Sequence, residues 1–134
     1  MQYLQDLEPL SSSNGVNTGS AQVNGKNYDR SIFLAIDKSS IPEDDAEYNL
    51  GRHWRTMQAS IGLRDDSPTG SRASFEVFAD GKSINKMTLG LGESKNLSLD
   101  ITNVLRMKIE VTYSSTTDIS SDCYAVWGDA RLNA

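Results

Sequence analysis

Period-two alternation is the feature that most limits what this chain can become. Between residues 105 and 111, Leu105, Met107, Ile109 and Val111 alternate with Arg106, Lys108 and Glu110, the pattern of a strand with one buried and one wet face. The same period runs through 57–63, where Met57, Ala59, Ile61 and Leu63 oppose Gln58, Ser60 and Arg64. It recurs at 73–77 through Ala73, Phe75 and Val77, and at 97–101 through Leu97, Leu99 and Ile101. Weaker strand candidates lie at 3–7, 21–28, 31–36, 46–50, 84–89 and 124–132. Asn14-Gly15, Asn24-Gly25 and Asp80-Gly81 tolerate the positive φ of tight turns, and Asp80-Gly81 reads as a hairpin. Many short strands with no helical period predict an all-β fold, an antiparallel β-sandwich or jelly roll, in a single domain spanning 1–134. Its core is expected to hold Met57, Ala59, Ile61, Phe75, Val77, Leu97, Leu99, Leu105, Met107, Ile109 and Val111.

Composition excludes several functions. With 13 basic and 18 acidic residues the net charge is -5, so a phosphate backbone is repelled on average and no nucleic-acid partner is expected. No apolar run approaches the roughly 20 residues of a membrane span, and MQYLQDLEPL lacks the basic and apolar regions of an export signal. No membrane insertion is therefore expected. Cys123 is the only cysteine and His53 the only histidine, which rules out an internal disulfide and a Cys/His zinc site. Catalytic machinery is also thin: His53 in RHWRT has no evident partner, and there is neither a nucleophile elbow nor a Gly-rich phosphate loop. The expectation is a protein that is not an enzyme.

Binding is better served. Ser11–Ser20 reads SSSNGVNTGS, and Asp37–Glu47 carries Glu43, Asp44, Asp45 and Glu47 around Pro42; both are expected to be long loops, where β scaffolds usually bind. The acidic loop and the Arg52-His53-Trp54-Arg55 segment flank Tyr48, and their opposite charges suggest local pairing or a contact with a neighbouring subunit. Trp54 and Trp127 are the large aromatics that could stack on a sugar face, although such residues more often fill a core, and Trp127 is expected to be structural. The ligand-binding candidates are thus Trp54, Asp37, Glu43, Asp44, Asp45, Tyr48 and Arg52. Asp65-Asp66-Ser67-Pro68-Thr69-Gly70 is a turn whose two carboxylates could hold a structural Ca2+ ion, or could cap the turn's own amides; no other cofactor is suggested.

Four stretches in order carry a resemblance: VNGKNYDRSI, the strand entering an Asp-Asp turn at Ile61 to Asp66, the Phe-x-Val-x-x-Asp-Gly hairpin at Phe75 to Gly81, and the closing Trp127-Gly128-Asp129-Ala130-Arg131-Leu132. Together with the opening YLQDL they resemble the novel putative carbohydrate-binding module family over nearly the whole chain. The resemblance implies a galactose-binding-like jelly roll, non-catalytic, commonly appended to glycoside hydrolases or to actinobacterial surface proteins. Members with a sugar site often carry a Gly-Ile-Gly-x-His stretch after the strand that Tyr28 to Ile32 matches; this chain continues Phe33-Leu34-Ala35-Ile36 instead and lacks the histidine.

Two expectations follow. One is surface recognition of a glycan or cell-surface polysaccharide through loops at one end of the sandwich, on an extracellular cell surface if the module belongs to a larger exported chain. The alternative is a free-standing bacteriophage virion protein, a capsid decoration or tail adhesion component on the virion surface. Its partners would be capsid or tail proteins, and it would act as a homo-oligomer or lattice component.

Overall fold

A computed structural model describes residues 1–116 and 121–134. Its strands are β1 (Gln2–Tyr3), β2 (Ser11–Ser12), β3 (Asn17–Val23), β4 (Lys26–Ile36), β5 (Glu43–Asn49), β6 (Thr56–Leu63), β7 (Arg72–Ala79), β8 (Lys82–Gly90), β9 (Ser94–Asp100), β10 (Arg106–Tyr113) and β11 (Cys123–Asn133). They form two antiparallel sheets packed as a sandwich. Sheet A has the order β3-β4-β11-β6-β9 with β1 added to β11; sheet B has the order β2-β5-β10-β7-β8.

Alternation decides which side chains lie between the sheets. Met57, Ile61, Phe75, Val77, Met107, Ile109 and Val111 are all fully buried, with Ala59 and Leu97 nearly so, while Arg106 is exposed and Lys108 half-buried. Leu99 is only half-buried, and Leu105 precedes β10 rather than opening it, because its backbone N–H is held by the Asp80 carboxylate at the sheet's end. The predicted strand at 3–7 shrinks to β1, since Leu4–Asp6 turn into a short 3-10 helix that drops Leu4 into the core.

Both long loops of the sequence reading are partly strand. Ser11–Ser20 contributes β2 and the start of β3, and the acidic segment from Glu43 onward is β5, paired along its length with β10. Its alternation places Asp44, Ala46 and Tyr48 inward, and Asp45 and Glu47 outward and half-buried.

Asp80 shows how carboxylates hold this fold. It has a φ of 48° in the β7–β8 turn, with Gly81 at 83°, and its oxygens accept the N–H groups of Arg106 at 2.9 Å and Leu105 at 3.2 Å. Those bonds, with the charges of Arg52 and Arg106, hold the Asp80 carboxyl below its ordinary range. Asp37, Asp66 and Asp100 are lowered in the same way by hydrogen bonds. Groups whose folded pKa is depressed contribute stability above their unfolded pKa and lose it as pH falls through the folded one. Asp44 and Asp122 are raised, first of all by burial, and oppose them. The melting temperature is therefore expected to fall below about pH 4, and Asp80→Asn should flatten that acid limb. An unchanged slope in thermal melts across a pH series would disprove this role.

Candidate functional site

Strand β4 follows β11 only from Ile36 to Ile32. At Ser31 it turns outward: the Ser31 hydroxyl donates to the Tyr28 carbonyl at 3.0 Å, and the Arg30 N–H donates to Asp129 Oδ1 at 3.0 Å. Asp129 itself has a φ of 47° where β11 slips register against β6. Beyond this bend the β3–β4 hairpin curls over the outer face of sheet A, burying a second apolar cluster of Ala21, Val23, Tyr28 and Val126 with Phe33 against it.

The hairpin is clamped at its tip. Asp65 accepts the N–H of Asn24 at 2.7 Å and of Gly25 at 2.9 Å, one with each oxygen, and its own N–H donates to the Gln22 carbonyl at 2.9 Å. Neighbouring Asp66 takes a different partner, receiving Nε and an Nη of Arg64 at 2.6 and 3.0 Å. That guanidinium lies 3.9 Å from the Tyr124 ring centroid and 5.2 Å from that of Phe33. The two carboxylates read as a calcium pair thus serve a clamp and a stacked ion pair, and among the described residues no group of three or more acidic, His or Cys side chains could hold a metal. Asp65→Ala should cost about 1–2 kcal/mol by releasing two amides from a charged acceptor. If the clamp alone fills this role, a chelator leaves the wild-type melting temperature unchanged; a chelator-sensitive melt would restore the ion.

Between the hairpin and the outer surface of sheet A lies an open groove of about 410 Å³. Lys26 and Tyr28 come from the hairpin, Gln58 and Ser60 from β6, Asn96 and Ser98 from β9, and Asp129 and Arg131 from β11. Register makes the floor two rows, Arg131-Gln58-Ser98 and Gly128-Ser60-Asn96. The Ser60 hydroxyl donates to Asn96 Oδ1 at 2.7 Å, and Asn133 donates to Gln58 Oε1 at 3.1 Å. Each amide keeps its NH2 group to donate. Gly128 is required here, because a Cβ would stand 2.8 Å from Tyr28 Cγ and 2.9 Å from the Ser60 carbonyl oxygen.

The residues chosen from sequence do not converge on this groove. Tyr48 and Asp44 are corrections: both are buried, Tyr48 in the main core and Asp44 as acceptor for the N–H groups of Asn14 at 3.0 Å and Asp45 at 2.8 Å. Tyr48 lies under a separate groove beside Leu4, Val16 and Thr18, away from this one. Asp37 caps its own turn, accepting from Ser39, Ser40 and Ile41. Trp54 is half-buried against the main core rather than a free platform. Glu43 is exposed at the start of β5, and the outward Asp45 receives the Ser13 hydroxyl at 3.1 Å. Arg52 is exposed with a φ of 63°, and the acidic strand's ion pair runs from Glu47 to Arg106 at 3.9 Å, not to the Arg52–Arg55 segment. His53 is exposed in the turn after Leu50, and Trp127 is fully buried. What the sequence did offer was a contrast between outward positions: Gln58, Ser60, Asn96 and Ser98 are uncharged, whereas Arg106, Lys108 and Glu110 are not.

Among solved structures, the CBM51 module of a Clostridium perfringens GH95 protein, solved in complex with methyl-galactose, is similar at 23% identity with a TM-score of 0.76, over 98% of each chain. A CBM51-2 module with INT domains from Clostridium perfringens ZmpB, in complex with GlcNAc, matches at 19% identity and a TM-score of 0.76, over 98% of this chain and 31% of that one. The tandem CBM51 modules of a family 98 glycoside hydrolase from Streptococcus pneumoniae match at 15% identity and 0.77, over 98% of this chain and 46% of that one. These likenesses establish the jelly-roll fold. Nothing in these likenesses supports the virion, lattice or oligomer readings. No helix among the described residues is long and apolar enough to cross a membrane. No match was found among curated proteins. The model of the NPCBM/NEW2 domain matches residues 1–133, and the chain belongs to that family.

Proposed function

We propose that this protein is a non-catalytic module that binds a glycan in the groove across the outer face of sheet A. The observation that carries the reading is the groove's lining. A sugar presents many hydroxyls of both donor and acceptor character, and the floor answers with the amides of Gln58 and Asn96 and the hydroxyls of Ser60 and Ser98. A volume of about 410 Å³ lies within the range of small-ligand sites. The groove is open rather than enclosed, which suits a segment of a saccharide chain. Structures similar to this one were solved with methyl-galactose and with GlcNAc, which supports a saccharide as the ligand class. Recognition of this kind suits a module acting on extracellular or cell-surface polysaccharide, and it requires no reacting group.

The test is a glycan array followed by calorimetric titration of the saccharides retained. Replacing Gln58, Asn96 and Ser98 together with alanine should lower affinity about two- to tenfold for each lost hydrogen bond to a well-ordered hydroxyl, at about 1.4 kcal/mol per tenfold. Stability should fall by about 0.5–1.5 kcal/mol for each of Gln58 and Asn96, which also give up a hydrogen bond from Asn133 and from Ser60, and by less for exposed Ser98. A wild-type protein that retains no saccharide, or a triple variant that binds as wild type, would refute the groove as the site.

A further inference from the structure

Three charged side chains line the groove, Lys26, Asp129 and Arg131, and their commitments differ. Asp129 is already used, its Oδ1 accepting the Arg30 N–H at 3.0 Å. Arg131 donates one Nη to the Asp129 backbone carbonyl at 3.0 Å, a neutral acceptor that leaves its charge uncompensated. Lys26 lies 5.3 Å from the centroid of the Tyr28 ring and has no carboxylate partner among the described residues. The chain as a whole carries a net charge of -5. Lys26 and Arg131 outnumber the Asp129 carboxylate, whose own partner is a neutral amide, so the groove lining carries a net charge of about +1 and is locally opposite in sign to the molecule that bears it. Guanidinium groups favour planar oxyanions, and ammonium groups act as point charges for the same ligands.

From this we infer that the groove prefers an anionic glycan, a chain whose sugars carry carboxylate or sulfate groups, with Arg131 and Lys26 as the residues that read the charge. The inference rests on the groove being the glycan site. Binding measured with polygalacturonate, a sulfated galactan and neutral galactan separates the two ideas, because the first two probes share negative charge and differ in the group that bears it, carboxylate or sulfate. The expected result is that at least one anionic probe binds about tenfold or more tightly than neutral galactan, as a charged hydrogen bond would provide. Arg131→Gln and Lys26→Gln should each lower that ratio. Lys86→Gln is the control, since it removes the same unit of charge from exposed β8, away from the groove, and should leave the ratio as in wild type. Equal affinity for neutral and anionic chains would overturn the charge preference and leave the groove reading standing. A ratio that drops equally in Lys86→Gln would overturn it too, by tracing the preference to overall charge. Binding by none of the three probes would overturn the preference, while the glycan array and the Gln58, Asn96, Ser98 variant would decide the groove separately.

Discussion

Trp127→Ala is expected to cost about 3–5 kcal/mol, the range for truncating a buried tryptophan. The indole is fully buried in β11 at the centre of sheet A, opposite Ile32 on one side and Ile61 on the other. Across the core it meets Phe75 edge to face, with centroids 5.6 Å apart and an interplanar angle of 69°. Alanine would empty the space between the two sheets at its middle, where neighbouring strands cannot close in without breaking their ladders. A loss of this size is a large part of a domain's total stability, and the melting point should fall on the order of 10–20 °C. Trp127→Phe should cost less, because the indole N–H has no hydrogen-bond partner among the described residues and its removal breaks nothing. A melting curve for Trp127→Ala that overlays the wild type would contradict the burial.

The second large effect is expected at Gly128, where one methyl group should disturb fold and groove together. Its Cβ would collide with the Tyr28 ring and with a backbone carbonyl of β6, and the carbonyl cannot yield because it belongs to the adjacent paired strand. The ring must move instead. Gly128→Ala should therefore cost about 1–3 kcal/mol as an overpacked site and lift Tyr28 from its seat, taking the hairpin wall of the groove with it. Thermal melts and saccharide titration should both change in this variant. In the Gln58, Asn96, Ser98 variant the melt should fall only by the loss of the Asn133–Gln58 and Ser60–Asn96 bonds while Tyr28 keeps its seat, and a Gly128→Ala protein that melts and binds like wild type would show that the hairpin does not depend on this seat.

The strands that alternate large apolar residues with charged ones, such as β10, announce themselves because both faces speak in the same period. Strand β5 was hidden by its own composition. Of its inward residues only Tyr48 is large and apolar, Ala46 is small, and Asp44 is a carboxylate that backbone amides make tolerable in the interior. Read without those amides, the same residues describe an acidic loop. The hairpin that forms the groove was hidden for another reason: nothing local in Asn24-Gly25 says that its amides will be held by Asp65, forty residues away in the chain. Gln58, Ser60, Asn96 and Ser98 lie on strands whose inward residues were read correctly, yet four outward polar residues become a surface only once register sets them side by side.

The two-residue strand β1 lies antiparallel to the end of β11, with Gln2 beside Leu132 and Tyr3 beside Arg131. Tension applied through the two ends of the domain would load this pair as a zipper is loaded, one rung after another, rather than shearing all its bonds at once. Such a pair offers little mechanical resistance. The pull would then arrive at Leu4, which is fully buried in the main core. The first residues should peel away under low force while the sandwich and its groove stay closed, so the mechanical strength of the module begins at Leu4 rather than at its first residue.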